Sequence, residues 1–230
     1  MLRDALLWAS TNPALAEKLP RYGFVKKATK RFMPGEERAD ALAQAEILAQ
    51  SGIQTTTTLL GENLQSLDEA DGVVRHYLDS LAEIESRGLD TEISVKPTQL
   101  GLDYGGEEAE KRLLELVRAT SSLVWIDMEG SDYVDRTLEI FRNVKEQRSN
   151  VGLCIQSYLR RTEADLEALM PLRPDIRVVK GAYNEPDSIA FPSKADVDRN
   201  YVKLMQVLLR ARLHGEAGRP VSATHDPKMI

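Results

Sequence analysis

A single cysteine, Cys154, occurs in the 230 residues. That scarcity excludes an intrachain disulfide framework and any metal centre built from several thiolates, and it fits a reducing, cytoplasmic setting. Lying inside an apolar stretch, Cys154 reads as a core thiol. Long apolar runs are lacking too. The Leu6-Leu7-Trp8-Ala9 run is short and follows Asp4, so neither a signal peptide nor a spanning helix is expected there, and no other segment offers one. Nor is there a dense Lys/Arg block. With 30 Lys and Arg against 36 Asp and Glu the net charge is -6, which argues against nucleic acid as a partner. No Gly-x-Gly-x-x-Gly turn joins a strand to a helix, so a dinucleotide would have to be held by something other than a Rossmann unit.

What the sequence does hold is enough apolar material, 42% of residues, to bury the core of one domain. Residues 1–50 read as a helical segment, punctuated by Pro13, Pro20, Pro34 and Gly35 and closing with an Ala-rich helix over 38–50. Residues 51–230 read as a repeating part in which short strands alternate with helices, the pattern of βαβ units and a parallel sheet. Strands are expected at 53–60, 93–96, 123–127, 153–156, 176–181 and 221–225. Val74, Leu78, Leu81 and Ile84 keep helical spacing, as do Leu113, Leu116 and Val117 within 107–119, and Val134, Leu138, Phe141 and Val144. Thr162-Glu163-Ala164-Asp165 is a capping-box signal for a helix through Leu166 and Leu169, and a last helix spans 196–213. Six strands do not close an eight-stranded barrel, so the expectation is a distorted and incomplete (β/α)8 barrel of about six βα units, with an open six-stranded sheet as the alternative.

The strand endings carry the functional signal, because in a parallel α/β barrel the chemistry sits where the carboxyl ends of the strands meet. Lys96 opens a Pro- and Gly-marked loop and can hold a carboxylate or, with a depressed pKa, serve as a Schiff-base nucleophile. Asp127 follows a buried strand, and Ser131 and Asp132 stand closer to the next helix and are better placed to cap it, which leaves Asp127 for a pocket. Gln156 offers an amide to a heterocycle. Arg177 is costly inside an apolar strand unless it meets an anion or a hydrogen-bonding cofactor. Strand alternation sends Lys180 to the opposite face from Arg177 unless the chain bends near Gly181. Gly181 and Ala182 would let a large ligand approach the backbone. His225 taken alone reads as structural. The polar segment 184–193 is either a static surface loop or a lid.

Taken in order, Ser94-Val95-Lys96 with Leu100-Gly101, Asp127-Met128-Glu129, Gln156-Ser157-Tyr158-Leu159, Arg177-Val178-Val179-Lys180-Gly181-Ala182-Tyr183 and Ala223-Thr224-His225-Asp226 resemble proline dehydrogenase, over roughly residues 21–230. The resemblance implies a distorted barrel that binds FAD and oxidises L-proline to 1-pyrroline-5-carboxylate, with electrons passed to a quinone or another acceptor and a possible peripheral contact with the inner membrane. By motif, Asp127 and Arg177 match catalytic positions and Lys96 a substrate-binding one. Met128, Gln156, Lys180, Gly181, Ala182, Thr224 and His225 match positions around the flavin, and no metal is implied. The family's Tyr-x-x-Arg-Arg-x-x-Glu-like segment is not found in these 230 residues, and the expectation is weak proline and flavin binding for this length of chain. Two other classes stay open: a Schiff-base aldolase using Lys96 or Lys180, and a non-catalytic barrel fragment that pairs through its strand edges.

Overall fold

The computed structural model describes residue 35, residues 37–61 and residues 64–229. The helical pieces expected before Pro34 lie outside the described residues. The chain divides between Thr55 and Thr56 into two compact units. In the first, helix α1 (Arg38–Ala49) starts with a capping box in which the Glu37 and Asp40 side chains each bond the other residue's backbone N–H, satisfying two orphan donors at its start.

The second unit holds the sheet, apart from Thr55 at the start of its first strand. Its strands β1 (Thr55–Thr58), β2 (Thr91–Val95), β3 (Val124–Ile126), β4 (Val151–Gln156), β5 (Asp175–Val179) and β6 (Pro220–Ser222) neighbour one another in chain order. Helices connect them: α2 (Leu67–Ser86), α3 (Gly106–Arg118), α4 (Val134–Gln147), α5 (Thr162–Leu169) and α6 (Lys194–Leu213). The pairs from β2 to β6 are all parallel, with Ser94 beside Trp125, Trp125 beside Gly152, and Cys154 beside Arg177. Strands β2, β3 and β4 are buried along their whole length, as parallel strands covered on both faces must be. The sheet curls strongly enough for the Arg177 side chain on β5 to reach Ser94 on β2. This is the expected incomplete α/β barrel, with β1 and β6 as its edges among the described residues.

The helices bury one stripe each. On α2 that stripe is Ala70, Val74, Tyr77, Leu81 and Ile84, and the Ser66 hydroxyl caps the first turn by accepting from Glu69 N at 3.3 Å. Three local expectations are corrected. The first strand is shorter than 53–60, because Ile53 N–H turns back to Leu48 O at 3.1 Å and Leu59 N–H is taken by the Tyr77 hydroxyl at 3.0 Å, so neither continues the ladder. Thr162 is not a cap. It sits in the first turn of α5 and donates its hydroxyl to Gln156 O at 2.6 Å, while Arg161 grips Asp165 through two hydrogen bonds. Ser131 and Asp132 do not cap α4 either; they form a separate 3-10 turn (Ser131–Tyr133), and Ser131 is committed to Glu185 instead.

Candidate active site

Strand alternation places Ser94, Trp125, Gly152, Cys154 and Arg177 on the concave side of the sheet, and two tiers result. In the upper tier Arg177 Nη2 donates to Asp127 Oδ1 and, at 2.8 Å, to Ser94 Oγ, whose own hydroxyl donates to Asp127 Oδ1 at 2.9 Å. Lys96 Nζ stands 3.9 Å from the other carboxylate oxygen, Oδ2. One carboxylate is thus held by a guanidinium, an ammonium and a hydroxyl. Burial is partial, with the Arg177 and Asp127 side chains 14% and 24% exposed, so the pair is shielded but within a ligand's reach. Arg177 can cross β4 to reach β3 because β4 presents only Gly152 and Cys154 beneath it. Burial pushes the Cys154 thiol up from its ordinary pKa, and the nearby Arg177 only partly offsets this.

The lower tier is built on Trp125, buried to 1% exposure. Its indole lies against Gly152, where even a methyl group would come within 2.6 Å of the ring. The indole N–H donates to Glu92 Oε2 at 2.7 Å, and Arg219 Nη2 donates to Glu92 Oε1, also at 2.7 Å. Both Arg177 and Arg219 lie over the indole at cation–π range, 5.2 and 5.4 Å from guanidinium carbon to ring centroid.

The loops around the mouth are fixed by buried polar groups. Glu129 accepts from Thr98 N at 3.0 Å and from Thr98 Oγ1 at 2.7 Å, which binds the loop after Lys96 to the end of β3. Gln156 Nε2 donates to Met128 O at 2.8 Å, which brings Gln156 and Met128 together. Its carbonyl oxygen, Oε1, is buried with no protein partner, an unmet acceptor of the kind that a bound molecule can satisfy. The Tyr77 hydroxyl donates to Ser94 O at 2.9 Å, and burial raises the phenol's pKa.

Lys180, Thr224 and His225 are held apart from this cluster. Lys180, just past the end of β5, donates from Nζ to Asp198 Oδ1 at 2.6 Å and Asp226 Oδ2 at 2.7 Å. Lys194 shares both carboxylates, and the two ammonium groups pull the Asp198 and Asp226 carboxyls below the usual carboxylate range. Thr224 Oγ1 accepts from Asp226 N at 3.1 Å, and His225 is exposed. Gly181 and Ala182 are also exposed, but Gly181 has a structural duty: φ is +113°, and an added Cβ would lie 2.1 Å from the Tyr158 ring. Segment 184–193 is a fastened strap. Glu185 receives Ser131 N and Oγ, both at 2.7 Å, Phe191 N donates to Tyr158 O at 2.8 Å, and Arg160 N donates to Ile189 O at 3.0 Å.

Sequence reasoning brought Lys96, Asp127, Gln156 and Arg177 forward but passed over Ser94, Glu129, Trp125 and Glu92. For Ser94 a signal existed: two residues before Lys96, it shares that residue's face within an otherwise apolar strand.

The family model described as proline dehydrogenase matches residues 41–229. The chain is 32% identical to Proline dehydrogenase 1 of Bacillus subtilis, covering all of this chain and 75% of that protein. Proline dehydrogenase of Deinococcus radiodurans is also 32% identical, over all of this chain and 74% of its own length. Among solved structures, proline utilization A of Bdellovibrio bacteriovorus superposes with a TM-score of 0.79 at 22% identity, covering 88% of this chain. The protein from Corynebacterium freiburgense gives 0.68 at 21% identity over 83% of it. The matched region is 26% and 23% of those two long chains, and the likeness concerns the barrel fold.

Proposed function

The chain belongs to the proline dehydrogenase family, and on that premise we propose that residues 51–230 form the catalytic part of an enzyme that oxidises L-proline to 1-pyrroline-5-carboxylate with FAD. The observation that carries this reading is the convergence of Lys96, Asp127 and Arg177, from three separate strands, on one mouth. Its chemistry suits the cofactor. The buried, unpaired Gln156 Oε1 offers an acceptor to a heterocycle N–H, and the partly exposed Arg177 offers a fixed positive charge. Gln156, Met128 and Arg177 would hold the flavin ring, with the Gly181-Ala182 and Thr224-His225 loops at the rim and Lys180 behind them. When bound, the isoalloxazine supplies the oxidant, accepting a hydride from the substrate carbon next to the ring nitrogen.

The rest of the work falls to the chain. Lys96 would attract the proline carboxylate by charge and set the ring's orientation. Arg177 stabilises negative charge that builds as electrons leave the substrate, an interaction stronger in the transition state than before it. Asp127 keeps the guanidinium in place and presents a carboxylate toward the substrate's amine side. The strap pinned by Glu185 would limit water at the mouth.

We assign the chain to the cytoplasm, with a quinone or another acceptor as the sink for electrons and peripheral membrane contact where the sink is a quinone. No described helix is long and apolar enough to cross a membrane. The aldolase reading finds no support in either lysine. A Schiff-base amine has to face a carbonyl, whereas Lys180 donates into two carboxylates and Lys96 pairs with Asp127. The test is anaerobic addition of L-proline to the FAD-loaded chain. Bleaching of the oxidised flavin bands supports the assignment, and an unchanged spectrum in a folded, loaded sample opposes it.

A further inference from the structure

We propose that Trp125 is a positioning residue for Arg177: its indole face is the floor on which the guanidinium rests, and the Glu92–Arg219 pair fixes that floor from below. The proposal rests on the reading above that Arg177 faces the flavin, and it concerns what sets the height and plane of that group.

An arginine side chain has four rotatable bonds, and the Arg177 bonds to Asp127 and Ser94 both run through one nitrogen, Nη2, which defines a point of contact without defining a plane. Arg177 also crosses β4 over Gly152 and Cys154, which supply no bulk to lean on. Trp125 supplies what these leave out. Its ring centroid lies 5.2 Å from the guanidinium carbon, within the range at which a cation over a π-face is attracted to it.

A floor is useful only if it cannot tilt. The indole is 1% exposed and seated on Gly152, and its only polar atom is held by Glu92 at 2.7 Å. Glu92 is itself fixed by Arg219, whose guanidinium carbon lies over the same indole, 5.4 Å from its centroid. Asp175 secures the start of this assembly by accepting from Arg219 N at 2.7 Å. Five consecutive strands or strand starts thus contribute to a tier that meets the mouth at the indole beneath Arg177.

The test compares Trp125→Phe, which keeps a ring face, with Trp125→Met, which keeps bulk but has none. In the flavin-free, full 230-residue chain, the Arg177 Nε–H proton is read by NMR. The proposal expects an upfield ring-current shift that survives in part in Trp125→Phe and disappears in Trp125→Met. On FAD titration it expects affinity to fall about tenfold for the Met variant and about two- to threefold for the Phe variant. It also expects Trp125→Met combined with Arg177→Ala to bind no more weakly than Arg177→Ala alone.

If the folded Met and Phe variants behave alike, or if the losses from Trp125 and Arg177 simply add, the proposal is overturned. Should Trp125→Met not fold, an Arg177 signal that loses its shift in folded Trp125→Phe overturns it, and a retained shift supports it. If the parent chain binds no FAD, the flavin reading fails while the Arg177 resonance still decides the role of Trp125.

Discussion

Arg177 on β5 and Asp127 at the end of β3 form an ion pair across an intervening strand, and Ser94 on β2 bonds to both. The triad ties three elements distant in sequence, so it forms only in the folded sheet. A carboxylate and a guanidinium in this partial burial depend on each other, since removing one leaves the other poorly solvated. Replacing Arg177 by Ala is expected to lower both turnover and flavin retention, whereas Asp127→Asn leaves retention less affected and lowers turnover. Each change should cost about 1–3 kcal/mol of stability, measured by urea unfolding.

Cys154 supplies a second test, because its small size keeps the path of Arg177 open. Cys154→Ala should be tolerated, and Cys154→Leu should disturb the ion pair and weaken FAD binding at least as much as it lowers stability. The thiol has its own pH signature. Its pKa is raised in the fold, so its contribution to stability is full below the unfolded thiol value and is lost as pH rises through the folded one. Alkylation of the native chain at pH 8 should be slow and should accelerate on unfolding.

Gly181 combines a left-handed backbone with contact to the Tyr158 ring. Gly181→Ala is expected to cost about 2–4 kcal/mol and to lower the melting temperature by roughly 5–10 °C, because strain and overpacking act together. Calorimetry of the two proteins checks it.

Lys180 and Lys194 hold Asp226, and with it the loop that carries Thr224 and His225. The Asp226 carboxyl is depressed by these partners, so its tie is present above the usual carboxylate pKa and is lost only as pH falls through the lower folded value. Asp226→Asn should therefore raise amide hydrogen exchange at residues 223–226 at neutral pH, with little change at β3.

Much of this was legible in the sequence because burial and alternation act locally. Apolar runs of four to six residues separated by amphipathic stretches gave the parallel strands, and the endings gave Lys96, Asp127, Gln156 and Arg177. What was missed depends on partners remote in sequence. Thr162 fits a capping box by spacing, yet Gln156 O drew its hydroxyl away, and Ser131 was drawn away from α4 by Glu185. Trp125 and Glu92 carried no signal in the sequence, because only the folded sheet lets the indole N–H and the Arg219 guanidinium both donate to Glu92.

The central claim is that the mouth formed by Gln156, Arg177 and their neighbours holds an isoalloxazine. Its most direct test is a spectrophotometric and fluorescence titration of FAD into the folded chain, beside Arg177→Ala. The account predicts saturable binding with perturbed flavin bands in the parent and at least about tenfold weaker binding in the variant. A folded parent that leaves the flavin spectrum unchanged, or a variant that binds as tightly as the parent, would contradict it.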